Sequence, residues 1–182
     1  MNFDFTNVWN SLTTDSSFSS DSYPILRELD QEGQLDARGI TQFAGGTGVS
    51  TDPFEIDTAD RLQGVEDNLT AYYELISDID CSGTSSWNNG SGFDPLHSFA
   101  GTFDGNYHVV KELFADRPSE GQVGLFGMVD NGTIEKLGVE NVDITGDYDT
   151  GGFAGWIDYG SSVSNCYSTG SVTASGRNVG GF

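Results

Sequence analysis

The sequence predicts an all-β chain wound as a parallel β-solenoid, and three observations predict it. Short alternating apolar segments recur at a fixed interval, Gly, Asn, Asp and Ser punctuate them, and apolar residues are scarce. Of 182 residues 25 are glycine, and the hydrophobic fraction is 36%; glycine stands at about twice its usual share of ~7%. A narrow core with many turns suits that balance, whereas a thick two-layer core needs more apolar side chains.

The interval is legible in the chain itself. Val123-Gly124-Leu125-Phe126-Gly127-Met128-Val129 returns 28 residues later as Gly151-Gly152-Phe153-Ala154-Gly155-Trp156-Ile157, and starts again as Val179-Gly180-Gly181-Phe182. Ile134-Glu135-Lys136-Leu137 returns as Val163-Ser164-Asn165-Cys166. Val142-Asp143-Ile144-Thr145 returns as Ser171-Val172-Thr173 after a one-residue adjustment. A weaker copy precedes them at Phe99-Ala100-Gly101-Thr102-Phe103-Asp104-Gly105-Asn106, followed by Val110-Lys111-Glu112-Leu113. Repeats are therefore set at about 99–122, 123–150 and 151–178, with a partial one at 179–182.

Alternation with period two means strands, and the small polar residues between them mean turns. A unit of three short strands cannot bury its apolar face alone. Stacked on its neighbours at about 4.8 Å it can, because each position then joins an inner ladder. The expected ladders are Leu113–Leu137–Cys166, Leu125–Phe153–Phe182, Val110–Ile134–Val163 and Ile144–Val172. An antiparallel sandwich also alternates, but it gives no reason for one position to keep its character at a fixed period. The repeat glycines have two structural uses, positive φ at corners or close approach of backbones between coils.

Ahead of the repeats, residues 1–38 form an irregular N-terminal segment in which Pro24 opens a short helix through Leu29. Residues 39–51 read as a linker, and the solenoid occupies 52–182. Phe54-Glu55-Ile56 is a strand. Asp57-Thr58-Ala59-Asp60 caps a short helix that sets Leu62, Val65 and Leu69 on one face, placed to cover the end of the coil stack. Cys81 and Cys166 fall about three coils apart, roughly 14 Å at the strand spacing, beyond the ~7 Å limit for a bridge. Two free thiols are expected.

The runs "VGLFGMVDNGTIEKLGVENVDITG" and "GGFAGWIDYGSSVSNCYSTGSVTASG" resemble GLUG-motif repeats. The stretch "FAGGTGVSTDPFEIDTADRLQGVEDNLTAYYELISDIDCSG", then Trp87, then "FAGTFDGNYHVVKELF", resembles the lead-in to such arrays, so the likeness covers about residues 43–182. It implies a right-handed β-helix in a secreted or cell-surface protein, adhesive or structural in role, with no catalytic residues. The first residues resemble the piece that closes a preceding array. The last coil carries no cap, which leaves two readings: the array continues past this chain, or the open coil pairs head to tail with another copy.

Charge excludes several partners. The chain holds 28 acidic residues against 7 basic, a net charge of -21. Such a surface repels nucleic-acid phosphates and anionic lipid heads, and no stretch approaches the ~20 apolar residues of a membrane-spanning helix. Self-repulsion on this scale is relieved by salt, because molar salt shortens the Debye length to about 3 Å. The composition therefore points to a protein of a salt-loving organism.

No catalytic, cofactor-binding or metal-ligating residue is assigned. His97 and His108 form no His-Glu-x-x-His motif. Carboxylate pairs such as Asp78/Asp80, Asp147/Asp149 and, at turns expected to be equivalent, Asp104/Asp130 arise by chance in so acidic a chain. Calcium is the one ion the oxygen-rich turns could take, although its loop motifs are absent. Asn68, Asn89 and Asn131 head Asn-x-Ser/Thr sequons and are candidate N-glycosylation acceptors. The function expected is a non-enzymatic extracellular module that presents its outer faces to glycans or other surface proteins. The alternative is a carbohydrate-active β-helix enzyme of lyase or glycosidase type.

Overall fold

Strands of two to nine residues carry too few hydrogen bonds to persist alone, so each must find its partner one coil away. The computed structural model of the protein describes residues 42–182, and there every pairing between strands is parallel. About four coils stack into a β-solenoid with one short helix. The expectations for residues 1–38 lie outside the described residues.

One sheet runs β1 (Phe54–Ile56), β2 (Tyr72–Leu75), β4 (Thr102–Asp104), β8 (Thr133–Glu135) and β12 (Ser162–Ser164). A second runs β3 (Ile79–Asp80), β5 (Val109–Lys111), β9 (Gly138–Gly146) and β13 (Tyr167–Ala174), with β6 (Phe114–Asp116) also on β9. Two narrow sheets close the coils: β7 (Phe126–Val129) with β11 (Ala154–Ile157), and β10 (Thr150–Gly151) with β14 (Val179–Gly180). Tyr72 lies beside Thr102, Thr102 beside Thr133 and Thr133 beside Ser162, steps of 30, 31 and 29 residues.

Alternation then decides what is inside. Phe54, Tyr73, Phe103, Ile134 and Val163 form one inward column, and Tyr73, Phe103 and Ile134 are fully buried. Phe103 meets Tyr73 at 6.2 Å and Phe126 edge-on at 5.7 Å between ring centroids. Phe126 continues to Phe153 at 5.7 Å, and Phe153 stacks on Phe182 at 4.6 Å. Of the Leu125–Phe153–Phe182 ladder the Phe153–Phe182 step is seen, and the Ile144–Val172 ladder holds, extended by Ala115. The one-residue adjustment between their repeats is a bulge: Glu140 and Asn141 stand opposite Thr169, whose Oγ1 accepts the Asn141 N–H at 3.2 Å.

Two ladders need correction. Ile134 pairs with Phe103, and Val110 belongs to the column Ile79–Val110–Val139. Leu113 lies beside Val142, one strand later than Leu137. The cause is the weaker copy, which aligns four to seven residues away from its sequence match: Leu96 bridges Phe126, and Phe99 bridges Val129. The Phe-Ala-Gly of 99–101 resembles the Leu-Phe-Gly of 125–127 but occupies the next edge of the coil. By the same register Asp104 lies beside Glu135, so Asp104 and Asp130 are not equivalent.

The repeats employ both uses for glycine, and close approach is the commoner. A Cβ on Gly155 would stand 2.4 Å from the Asp149 carbonyl oxygen, and one on Gly127 2.3 Å from His97 Nδ1. Positive φ is taken by Gly160 at a corner and Gly170 at the bulge, and elsewhere by other residues at matched positions, Lys136 and Asn165 in one column, Asp149 and Asn178 in another. Asn tolerates that region better than most side chains. Its amide also bridges coils, because Asn178 Nδ2 donates to Asp149 Oδ1 at 2.6 Å.

The lead-in packs onto the first coil. Thr58 Oγ1 accepts the Arg61 N–H and caps α1 (Ala59–Gln63), whose Leu62 is buried with Val65 of the following 3₁₀ turn. Gln63 fastens the helix by exchanging two hydrogen bonds with the Asp94 backbone, at 2.8 and 2.9 Å. Residues 42–51 already belong to this unit: Phe43 is buried against Phe54 at 4.3 Å and Gly45 bridges Glu55. Both cysteines are free thiols. Burial first, and the neighbouring Asp80 second, push the Cys81 thiol up to about 12.

The outward positions beside the first column carry like charges. Glu55, Glu74, Asp104 and Glu135 follow one another in register, at the ~4.8 Å spacing of paired strands. Lys136 answers them, with Nζ donating to Asp104 Oδ2 at 2.9 Å and Glu135 Oε1 at 2.8 Å. These two hydrogen bonds raise its pKa.

Two outcomes are expected. Phe103→Ala should cost about 3–5 kcal/mol, read as a shift of the urea midpoint; a loss below 1 kcal/mol would mean that the column is not the core. The melting temperature should rise as KCl goes from about 0.1 to 1 M, where the Debye length falls from ~10 to ~3 Å. Lys136→Gln should lower it by a few degrees at low salt, and the gap should close at high salt. A gap of constant size across the series would remove the carboxylate ladder as its cause.

Candidate functional site

Outward side chains of a solenoid are free of packing duty, so a functional face is sought where they converge chemically rather than where they are most numerous. On the second sheet, outward positions align as Asp80–Lys111–Glu140 and, two residues earlier, as Val109–Gly138–Tyr167. Asp78, in the turn before β3, reaches across their edge. Its Oδ1 accepts the Val109 N–H at 3.1 Å and lies 3.3 Å from His108 Nδ1, while its Oδ2 accepts from Lys111 Nζ at 2.7 Å.

These contacts order the charges. The Lys111 hydrogen bond, followed by the Val109 N–H, holds the Asp78 carboxyl below the usual range, and the same bond raises Lys111. The Ser82 N–H lowers Asp80. Glu140 Oε1 accepts the Tyr167 hydroxyl at 2.6 Å, which raises the phenol. The Tyr167 ring rests on Gly138: ring atoms Cζ and Cε1 and the hydroxyl oxygen lie 2.7–2.8 Å from where a Cβ would stand there. Both contacts hold the ring at its hydroxyl end, yet 45% of the residue stays exposed. An aromatic face bordered by carboxylates, an ammonium and an imidazole can stack against a flat apolar surface while exchanging hydrogen bonds at its edges.

None of these side chains was marked as a site from sequence. The signal was present, since Gly138 stands at an outward strand position 29 residues before Tyr167, where glycine has no backbone need and instead makes room for a ring. The other carboxylate pairs are engaged locally. Asp147 accepts from Ser175 Oγ at 2.8 Å, and Asp149 from Asn178. Among the described residues no group of three or more His, Cys, Asp or Glu side chains is arranged to hold a metal ion. The three sequon asparagines are all exposed, Asn68 and Asn89 in or beside 3₁₀ turns and Asn131 at a coil corner.

Among the described residues no helix is long and apolar enough to cross a membrane. Residues 146–173 match the GLUG motif; they run from the end of β9 through β11 and β12 to β13. The protein named Halomucin, of Haloquadratum walsbyi, is 38% identical over 80% of this chain. A Gly-rich membrane protein of Evansella cellulosilytica, so named provisionally, is 33% identical over 65%. The chain spans 2% and 13% of the lengths of these relatives. The crystal structure of a candidate immunoglobulin A1 protease from Bacteroides ovatus superposes with a TM-score of 0.54 and 26% identity, covering 79% of this chain and 45% of that one. The chain thus carries a GLUG motif within the stacked coils of a β-solenoid.

Proposed function

We propose that the chain is a cell-surface β-solenoid segment that acts as a rigid, non-enzymatic scaffold and binds neutral glycans on the outer face of its second sheet. The observation that carries this reading is the Tyr167 ring, seated on Gly138, tied to Glu140 and left open to solvent. A pyranose presents an apolar C–H face and a rim of hydroxyls, which suits an immobilised aromatic flanked by donors and acceptors. Lys111 and His108 supply donors, and Asp80 and Glu140 acceptors. A net charge of -21 disfavours anionic polymers, so the sugars expected are uncharged. The names of the two relatives, one a mucin by name and one a membrane protein, support the surface setting, and the acidic surface supports a salt-rich one.

The test is a glycan array followed by titration calorimetry on the best neutral oligosaccharide. Tyr167→Ala should weaken binding at least about tenfold, the ~1.4 kcal/mol expected of one stacking contact, with the melting temperature little changed. Equal binding by wild type and variant would refute the face. Incubation with polysaccharides should release no new reducing ends; release would favour the enzyme reading instead.

Asp78 adds a pH check. Its folded-state pKa is depressed, so its stabilising contribution is complete above the ordinary carboxylate pKa and is lost as pH falls through the depressed one. Asp78→Asn should therefore lower the melting temperature at pH 7 and cease to matter in strong acid. A difference that persisted there would show that the pairing with Lys111 is not its source.

A further inference from the structure

The first coil turns differently from those above it. Asp80 lies beside Lys111, and Gly92 bridges Ala115. The chain thus spends residues 81–91 on an edge that the next coil crosses with residues 112–114 alone. The extra length folds into two 3₁₀ turns, Ser82–Ser86 and Asn88–Gly90. The base of this spur is anchored: Thr84 is buried with Oγ1 donating to the Cys81 carbonyl at 2.7 Å, Trp87 packs half-buried on the core, and Asn88 Nδ2 donates to the Gly92 carbonyl at 2.8 Å. At the tip Asn88, Asn89 and Gly90 take φ of 51°, 58° and 93° in succession, all three are exposed, and a Cβ on Gly90 would meet nothing within 4 Å.

We propose that Asn89, in the sequon Asn89-Gly90-Ser91, is the N-glycan acceptor of this chain. The Asn89 side-chain amide makes no hydrogen bond among the described residues, and its sequon lies outside every strand, tied to one only where the Ser91 carbonyl accepts the Asp116 N–H at 2.9 Å, so a transferase could draw it out by opening the tip and that one contact. The other two sequons are held. Asn68 Oδ1 accepts from the Thr70 hydroxyl at 3.0 Å, and the Asn68 carbonyl accepts the hydroxyl of core Tyr73 at 2.6 Å. Extending that sequon would uncouple a buried ring. Asn131 Nδ2, the atom that would be glycosylated, donates to Asp130 Oδ1 at 2.8 Å, and its Oδ1 lies against Gly160. Thr133 of the Asn131 sequon is paired on both sides, with Thr102 and Ser162, so extending it would break an inner strand of a sheet.

The reaction uses a lipid-pyrophosphate-linked oligosaccharide. Asn89 Nδ2 bonds to C1 of the first sugar and loses one proton. The bond from C1 to the pyrophosphate oxygen breaks, and its electron pair leaves with the lipid pyrophosphate. The inference stands on the spur and is independent of the Tyr167 face; from the surface reading it needs only passage through a glycosylating compartment.

The experiment imposes that passage. The chain is secreted from a host that modifies Asn-x-Ser/Thr sequons, and occupancy is read by intact-mass and glycopeptide mass spectrometry. Asn89 should be the most occupied site. Asn89→Gln should remove one glycan mass, and Asn131→Gln should leave the mass unchanged apart from the substitution. Urea midpoints of the secreted variants show that each is folded. A secreted, folded chain with Asn89 bare, or with Asn68 or Asn131 occupied as fully as Asn89, overturns the proposal.

Discussion

Each coil is completed by the next through parallel backbone hydrogen bonds at about 4.8 Å, and this contact imposes its geometry on everything else. A strand such as β8, three residues long, is stable because β4 and β12 pair on either side of it. The same contact forces residues one coil apart to share an inward column. Phe103 must then fit Tyr73 on one side and Ile134 on the other, so the core is selected position by position rather than as a bulk volume. That selection keeps the sequence period visible and explains how so low a hydrophobic content closes a core at all.

The constraint also multiplies outward side chains. Whatever stands outside one coil has a neighbour of the same position close by, so charges form ladders unless their signs alternate. On the first sheet they do not alternate, and Glu55, Glu74, Asp104 and Glu135 depend on Lys136 and on salt. On the second they do, as Asp80, Lys111 and Glu140, and there the surface also gains a tyrosine seated on a glycine. The difference between a repulsive face and a candidate ligand face thus comes down to one lysine and one missing side chain in register.

Departures from the repeat carry separate meaning. The bulge opposite Thr169 lets two coils of unequal length share a strand edge. The 81–91 spur anchors its base on the core through Cys81, Thr84 and Trp87 and places only its tip, Asn88 to Gly90, outside the stack. Both are found where the interval between coils changes, the places at which a solenoid tolerates extra chain.

How much was legible without coordinates follows from where the information resides. The 28-residue match of 123–129 with 151–157, and the alternation within it, determined the parallel stack and the Ile144–Val172 and Phe153–Phe182 columns, and the cap at Thr58 determined the short helix after it, because both answer to local pattern. Only the tertiary structure decided that Phe99 aligns with Val129, that Val110 leaves the Ile134 column, and that Asp78, Lys111, Glu140 and Tyr167 share one face. Those are relations between coils whose lengths differ, and a shift of a few residues in a corner leaves the periodicity intact while changing every neighbour across it.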